Sequence, residues 1–332
     1  MTEAKAIKPH ERLAAACADE MDAVNTLIRA RMASDHAPRI PEVTAHLVEA
    51  GGKRVRPLLT VASAKMCGAT GQDHIKLAAT VEFIHTATLL HDDVVDESDQ
   101  RRGRPTANLL WDNQSSVLVG DYLFARAFQL MVETGSLRIL DILSGAAATI
   151  AEGEVLQLTA ARNLATTEAT YLQVVRGKTA ALFEAAAQVG GVVAKAPEDH
   201  VTALAAFGDA LGVSFQIVDD WLDYGGAGDG IGKNLGDDFR EGKLTLPVIR
   251  ALERGSEAER TFWRENLELA KSTDDALAHA RTLLAQHGTL EETRLEALAW
   301  RDRAKAALDR LPSSDLRDML ADLADYVVAR AH

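Results

Sequence analysis

Two short acidic patterns hold the residues of this chain best suited to chemistry: Asp92, Asp93 and Asp96 in Asp-Asp-Val-Val-Asp, and Asp219, Asp220 and Asp223 in Asp-Asp-Trp-Leu-Asp. On a helix the step from the first Asp to the last advances about 400°, nearly one full turn, so each pair ends on one face as a carboxylate claw. Two ionised carboxylates about 5 Å apart repel by about 3 kcal/mol at an effective dielectric of about 20, and a hard cation relieves that repulsion. Mg²⁺ prefers carboxylate oxygens, keeps several waters and shares its remaining positions with substrate phosphates. Two claws more than 100 residues apart therefore suggest one metal-filled site between helices that takes a phosphorylated ligand. A single claw reads equally well as the solvated end of a charged helix, although the apolar lead-in from Phe83 to Leu90 weakens that reading for the first.

Diphosphate oxygens not taken by metal need cations, and arginine offers forked donors suited to them. Arg101 and Arg102 follow the first claw closely. A second basic group lies in Gly51-Gly52-Lys53-Arg54-Val55-Arg56-Pro57, where glycines permit a tight backbone and cations stand near a helix start. Alone, that stretch reads as a solvated basic turn. His85 precedes Asp92 by seven residues and so falls on nearly the same helical face, where it can donate to a phosphate. Gln216 precedes Asp219 by three residues and Asp220 by four, which turns its amide toward the second claw. Lys178 and Thr179 follow Gly177, and Lys233 and Lys243 stand in a glycine-rich stretch; each by itself is an ordinary surface group.

The elements that must position these residues read as helices. Leu13, Cys17, Met21, Val24 and Ile28 form one stripe between about His10 and Arg31, ahead of Pro38 and Pro41. A second helix follows the basic turn, with Pro57 in its first turn, where a missing N–H is harmless. A long helix from Ile75 to about Glu97 carries the first claw near its end, before breaks at Gly103 and Pro105. Further helical patterns run from Gly120 to Val132, Leu137 to Leu158 and Glu168 to Val189. A helix from about Val201 to Tyr224 carries the second claw, and Gly225 to Gly242 reads as a flexible loop. The chain closes on the stripe Leu316, Met319, Leu320, Leu323 and Val327.

Composition agrees. The 332 residues are 47% hydrophobic and rich in alanine, with eight prolines and none between Pro105 and Pro197, which favours long, closely packed helices. The fold class is expected to be all-α, with residues 1–332 forming a single domain. A net charge of -13 argues against nucleic acid and anionic membrane as general partners. Cys17 and Cys67 form neither a disulfide framework nor a metal-spaced cluster, which fits a reducing cytoplasm. No secretory h-region stands at the start, and no stretch reaches about 18 uninterrupted apolar residues, so the expectation is a soluble protein with room for transient membrane contact.

In this order the motifs resemble the trans-isoprenyl diphosphate synthases, the polyprenyl synthetase family. The resemblance covers nearly the whole chain: the basic turn from Gly51, the first claw with its Arg pair, Gly120-Asp121, Gly177-Lys178-Thr179, Gln216 through Asp223, and Gly242-Lys243-Leu244-Thr245-Leu246-Pro247. It implies an isoprenoid-synthase-type helical bundle around a central elongation cavity, in a homodimer. It also implies that Lys53, Arg56, His85 and Arg102 hold the diphosphate of isopentenyl diphosphate. Arg101, Lys178, Thr179, Gln216 and Lys233 would hold the allylic diphosphate, Lys243 would add an anion contact, and Asp92, Asp96 and Asp219 would bind Mg²⁺. By the same resemblance, Asp92, Asp96, Lys178 and Asp219 would carry catalysis. Charge balance fits, since roughly three Mg²⁺ offset one diphosphate and about three carboxylates. Asp237 stands where many relatives have a glycine, and its role is open.

Product length is read at Ala87 and Thr88, the residues beneath Asp92 on its helix. Bulky aromatics close the tunnel floor near these positions in shorter-chain relatives, so small residues imply a long product of about eight to ten isoprene units, favouring ten, for quinone side chains. A shorter-chain synthase is the alternative within the family. Rivals of other kinds are an all-α nucleotide pyrophosphohydrolase, a terpene cyclase and a noncatalytic synthase partner subunit. The first needs no second basic site and no apolar tunnel, the second has a different second metal motif, and the third is expected to lack one claw.

Overall fold

The computed structural model describes residues 7–49, 52–101, 103–225 and 235–329, without the side chains of residues 48 and 49. Gly51, Arg102, Lys233 and the rest of residues 226–234 in the glycine-rich stretch lie outside the described residues. What is described is helical, apart from one hairpin of two-residue strands, Gln100–Arg101 and Arg104–Pro105, paired antiparallel.

The chain divides into two compact units. The first comprises residues 1–147, 182–208 and 308–323, and the second residues 148–181, 209–307 and 324–332. Their boundaries fall inside helices rather than in linkers. The first unit is built on helix Asp73–Val95, which packs against helices Asn113–Glu133, Val55–Met66 and Ala18–Met32. Ile75, Leu77, Ala78, Val81, Phe83, Ile84, Ala87 and Leu90 are all buried, so this helix is apolar around most of its circumference, as a central core helix must be. The approach of Asn113–Glu133 depends on Gly120, because a Cβ there would collide with the His91 imidazole, one residue before the first claw.

In the second unit, helix Glu198–Gly225 carries the claw and packs against the chain near Ala297, whose carbonyl accepts from the buried Ser214 hydroxyl at 2.9 Å. Phe239 and Trp263 meet edge to face at 6.4 Å in the core beneath the segment that follows the claw. Glu198–Gly225 is apolar and long enough to cross a membrane, but 72% of its most apolar window is buried inside the protein. It is a core helix.

Several sequence-based boundaries shift. The first expected helix is two, Pro9–Ala16 and Ala18–Met32, because Cys17 leaves the helical region at φ -119, ψ 22. Helix Asp73–Val95 stops one residue before Asp96, so the first claw spans a helix end. The last part of the glycine-rich stretch is a helical turn, Asp237–Glu241, between Gly236 and Gly242, both at positive φ.

Candidate active site: two aspartate claws and two anion-binding clusters

At the first claw, Asp92 and Asp96 are half-buried while Asp93 is fully enclosed. Asp96 caps the helix, its N–H donating to the Asp92 carbonyl at 2.7 Å. The chain then turns back through the short hairpin. This brings the Arg101 Nε within 2.7 Å of the Asp93 Oδ1, a charge-assisted bond to a carboxylate with no exposed surface. Burial pushes the Asp93 carboxyl above its ordinary range, and the Arg101 guanidinium pulls it back. The return is pinned by the Ser98 N–H on the Asp93 carbonyl at 3.0 Å and by the Thr106 hydroxyl on the Ser98 carbonyl at 2.6 Å.

The basic turn divides its cations between two tasks. Arg54, at φ 49, forms an ion pair with Glu82 at 2.8 Å and so anchors the turn to helix Asp73–Val95. Arg56 stacks on the Phe183 ring at 4.4 Å and donates to the His85 Nε2 at 3.2 Å. An acceptor Nε2 puts the proton of a neutral His85 on Nδ1. Lys53 is exposed beside them. Arg56 and His85, 29 positions apart in the sequence, are thus brought together.

At the second claw the helix continues unbroken through Asp219, Asp220 and Asp223. Asp219 is half-buried. Asp220 is buried and accepts from the Tyr171 hydroxyl at 2.6 Å and the Gln216 Nε2 at 2.8 Å. The Asp223 carboxylate accepts the backbone N–H groups of Asp237 and Asp238, both at 3.2 Å. This gives Asp237 a place: its N–H ties the returning chain to the claw, and its carboxylate pairs with Arg240. Burial, reinforced by the nearby Asp238 charge, pushes Asp220 and Asp223 each up to about 7.

Facing this helix is Gly177-Lys178-Thr179, and here the backbone departs from α geometry. Residues Arg176–Ala180 form a π-turn between helices Glu168–Val175 and Ala181–Val193, a distortion common where side chains must be re-aimed. A Cβ on Gly177 would lie 2.7 Å from the Gly153 Cα, so the two helices cross backbone to backbone. The crossing puts Glu154 beside Lys178, and the two pair at 2.9 Å. The buried Thr179 hydroxyl donates to the Gln216 Oε1 at 2.8 Å. Lys243 pairs with Glu241 on the turn after the claw.

Of the residues read from the sequence, Arg56 meets His85, Thr179 meets Gln216, and Arg101 meets the first claw through Asp93. Ala87 is fully enclosed, whereas Thr88 retains accessible surface and bonds the His85 carbonyl at 2.9 Å. Tyr171, Glu154 and the Arg54–Glu82 pair were not foreseen. Nothing local marks Tyr171, since its partner Asp220 is 49 residues away.

The donor set suits a hard divalent cation. Asp92 and Asp96 in the first unit and Asp219 in the second keep accessible surface, while the Oδ1 of Asp93 and both carboxyl oxygens of Asp220 and of Asp223 accept from protein donors. Among the described residues no three His, Cys, Asp or Glu side chains form a ready-made metal cluster.

Residues 37–284 match the polyprenyl synthetase family. The octaprenyl diphosphate synthase of Escherichia coli (strain K12) is 43% identical over 320 residues, covering 96% of this chain and 98% of that protein. A decaprenyl diphosphate synthase from Rhodobacter capsulatus superposes with a TM-score of 0.95 at 67% identity, covering 97% of this chain and 99% of the other. The polyprenyl synthase from Caulobacter crescentus CB15, complexed with calcium and isoprenyl diphosphate, superposes with a TM-score of 0.93 at 48% identity, covering 99% and 100%.

Proposed function

This chain belongs to the polyprenyl synthetase family and is a prenyltransferase, and from that premise we propose that it condenses isopentenyl diphosphate with an allylic diphosphate in the presence of Mg²⁺ to build a long all-trans polyprenyl diphosphate. The observation that carries this reading is the division of the anion-binding groups into two clusters, Arg56 with His85, and Lys178 with Thr179 and Gln216. Two diphosphates, one per cluster, are what a condensation requires and a hydrolysis does not.

In this reading Asp92, Asp96 and Asp219 are the Mg²⁺ ligands. When bound, the cations neutralise charge building on the pyrophosphate as the allylic C–O bond breaks. The Lys178 ammonium and the Gln216 amide hold that pyrophosphate in place. Arg56 and His85, with Lys53, orient isopentenyl diphosphate so that its double bond attacks the allylic carbon. The apolar packing around the claws keeps water from the carbocation. The proton lost in closing the new double bond goes to the departing pyrophosphate.

The product is proposed to have ten isoprene units, as in the 67%-identical decaprenyl relative, and to supply quinone side chains. Small residues one turn before the claw support a long tail, with Thr88 the one that has accessible surface. A homodimeric, cytoplasmic enzyme completes the proposal; Leu118, Phe128 and Val132, exposed on one face of helix Asn113–Glu133, are suited to burial against a second copy. The test is incubation with labelled isopentenyl diphosphate, several allylic primers and Mg²⁺, with chain-length analysis of the products. All-trans products near ten units are expected, and Thr88→Phe should shorten them by several units. Release of pyrophosphate from nucleotides without prenyl transfer would sink the reading.

A further inference from the structure

Four side chains in the second unit form one continuous hydrogen-bonded chain: Thr179 to Gln216, Gln216 to Asp220, and Tyr171 to Asp220. Thr179, Asp220 and Tyr171 are 5%, 4% and 4% exposed, so water does not substitute for these contacts. The chain has a direction. The Tyr171 hydroxyl donates to the Asp220 Oδ2 at 2.6 Å and the Gln216 Nε2 to the Oδ1 at 2.8 Å, so both carboxyl oxygens act as acceptors. That fixes the Gln216 oxygen on the Thr179 side, where the hydroxyl supplies its proton. The amide is thereby locked, with a single N–H left to offer a ligand.

We propose that Tyr171 is a positioning residue for the allylic diphosphate: by holding Asp220 it fixes the orientation of the Gln216 amide, so that a donor and not a carbonyl oxygen faces the anion. This rests on the prenyl-transfer reading above. Tyr171 and Thr179 stand on either side of Gly177 and Lys178 on one helical run, while Gln216 and Asp220 lie one turn apart on the other helix. One tie therefore lies in the helix before the π-turn and one within it, and both hold this run against the claw helix. Without the Tyr171 hydroxyl, Asp220 loses one of its two donors, and the amide gains freedom to flip and present its oxygen to the diphosphate. An unsatisfied or reversed contact to a charged ligand weakens binding of that ligand selectively.

The experiment is steady-state kinetics of the full chain carrying Tyr171→Phe, with each substrate varied in turn, alongside calorimetric titration with inorganic pyrophosphate and Mg²⁺. The KM for the allylic diphosphate is expected to rise about tenfold and pyrophosphate binding to weaken in step, while the KM for isopentenyl diphosphate stays within about twofold. In a Gln216→Leu background, Tyr171→Phe should add less than about twofold, because the group it orients is gone. Ile217→Val thins the same helix's core without touching the network and gives the pattern of a merely structural change. If Tyr171→Phe does not fold, Asp220→Ala takes its place: it removes both acceptors at once, so Tyr171 and Gln216 lose their shared partner and the same split in KM is expected. Equal movement of both KM values, no movement, or full additivity with Gln216→Leu would overturn the proposal. Wild-type protein that makes no prenyl product would reject the prenyl-transfer reading itself, a separate outcome.

Discussion

Asp93 and Asp220 hold the same place in two Asp-Asp-x-x-Asp patterns, yet the fold secures them by different means. Asp93 stands at a helix end and is neutralised by a cation, Arg101, delivered by a hairpin that immediately follows it. Asp220 stands inside an unbroken helix and is held by neutral donors, Tyr171 and Gln216, from two core helices. The last aspartates differ too: Asp96 caps its helix, whereas Asp223 accepts backbone N–H groups from a chain returning after the glycine-rich stretch. In both claws the middle aspartate is sequestered by protein partners, and the first keeps accessible surface. The lesson is a division of labour on the proposed reading: Asp92, Asp96 and Asp219 are the proposed metal ligands, whereas Asp93, Asp220 and Asp223 bond to protein donors that frame each claw.

That division is broken most readily at the proposed ligands. Asp92→Ala and Asp219→Ala should each lower Mg²⁺-dependent condensation by about a thousandfold, which is ~4 kcal/mol of transition-state stabilisation. Their thermal midpoints without metal should stay close to wild type. Near-normal turnover in either variant would erase the distinction between ligand and frame.

Asp93→Ala probes the frame of the first claw. Removing one partner of an ion pair whose carboxylate is buried should cost about 2 kcal/mol, reduced from the fully buried case because Arg101 is partly exposed. Denaturant unfolding should show this as a lower midpoint with little change in slope. A variant as stable as wild type would place Asp93 among the ligands instead.

The smallest effect separates the two middle aspartates by pH. Asp220 and Asp223 are each raised to about 7, chiefly by burial, from an ordinary 3.8. A carboxyl raised in the folded state stabilises the fold while protonated. That contribution is complete below about pH 4 and is lost as the pH climbs through about 7. Asp220→Asn, which mimics the protonated form, should therefore gain on metal-free wild type by about 1 kcal/mol between pH 5 and pH 8. Differential scanning calorimetry in chelator gives the comparison, and a pH-independent difference would contradict it.

Much of this was legible in the sequence, for reasons that differ by residue. The claws, the flanking cations and the helices that carry them rest on local spacing, and local spacing survives folding. Gly177-Lys178-Thr179 was visible, but not the π-turn that holds it, because no breaker residue marks that distortion and the Gly153–Gly177 crossing at the same place is a tertiary contact. Arg54 and Arg56 look alike two positions apart, and only the tertiary partners Glu82 and His85 tell anchor from anion binder. Which aspartate oxygens are consumed was equally hidden, since Tyr171 comes from a distant segment. The helical turn Asp237–Glu241 was obscured by its glycines, which flank the turn rather than unravel it.

The most direct test of the division between ligand and frame is an anomalous difference map from crystals grown with Mn²⁺ and pyrophosphate. Peaks are expected about 2.1–2.2 Å from carboxylate oxygens of Asp92, Asp96 and Asp219, with Asp93 still on Arg101 and Asp220 still on Tyr171 and Gln216. Mn²⁺ coordinated directly by Asp93 or Asp220, with those protein contacts broken, would contradict it.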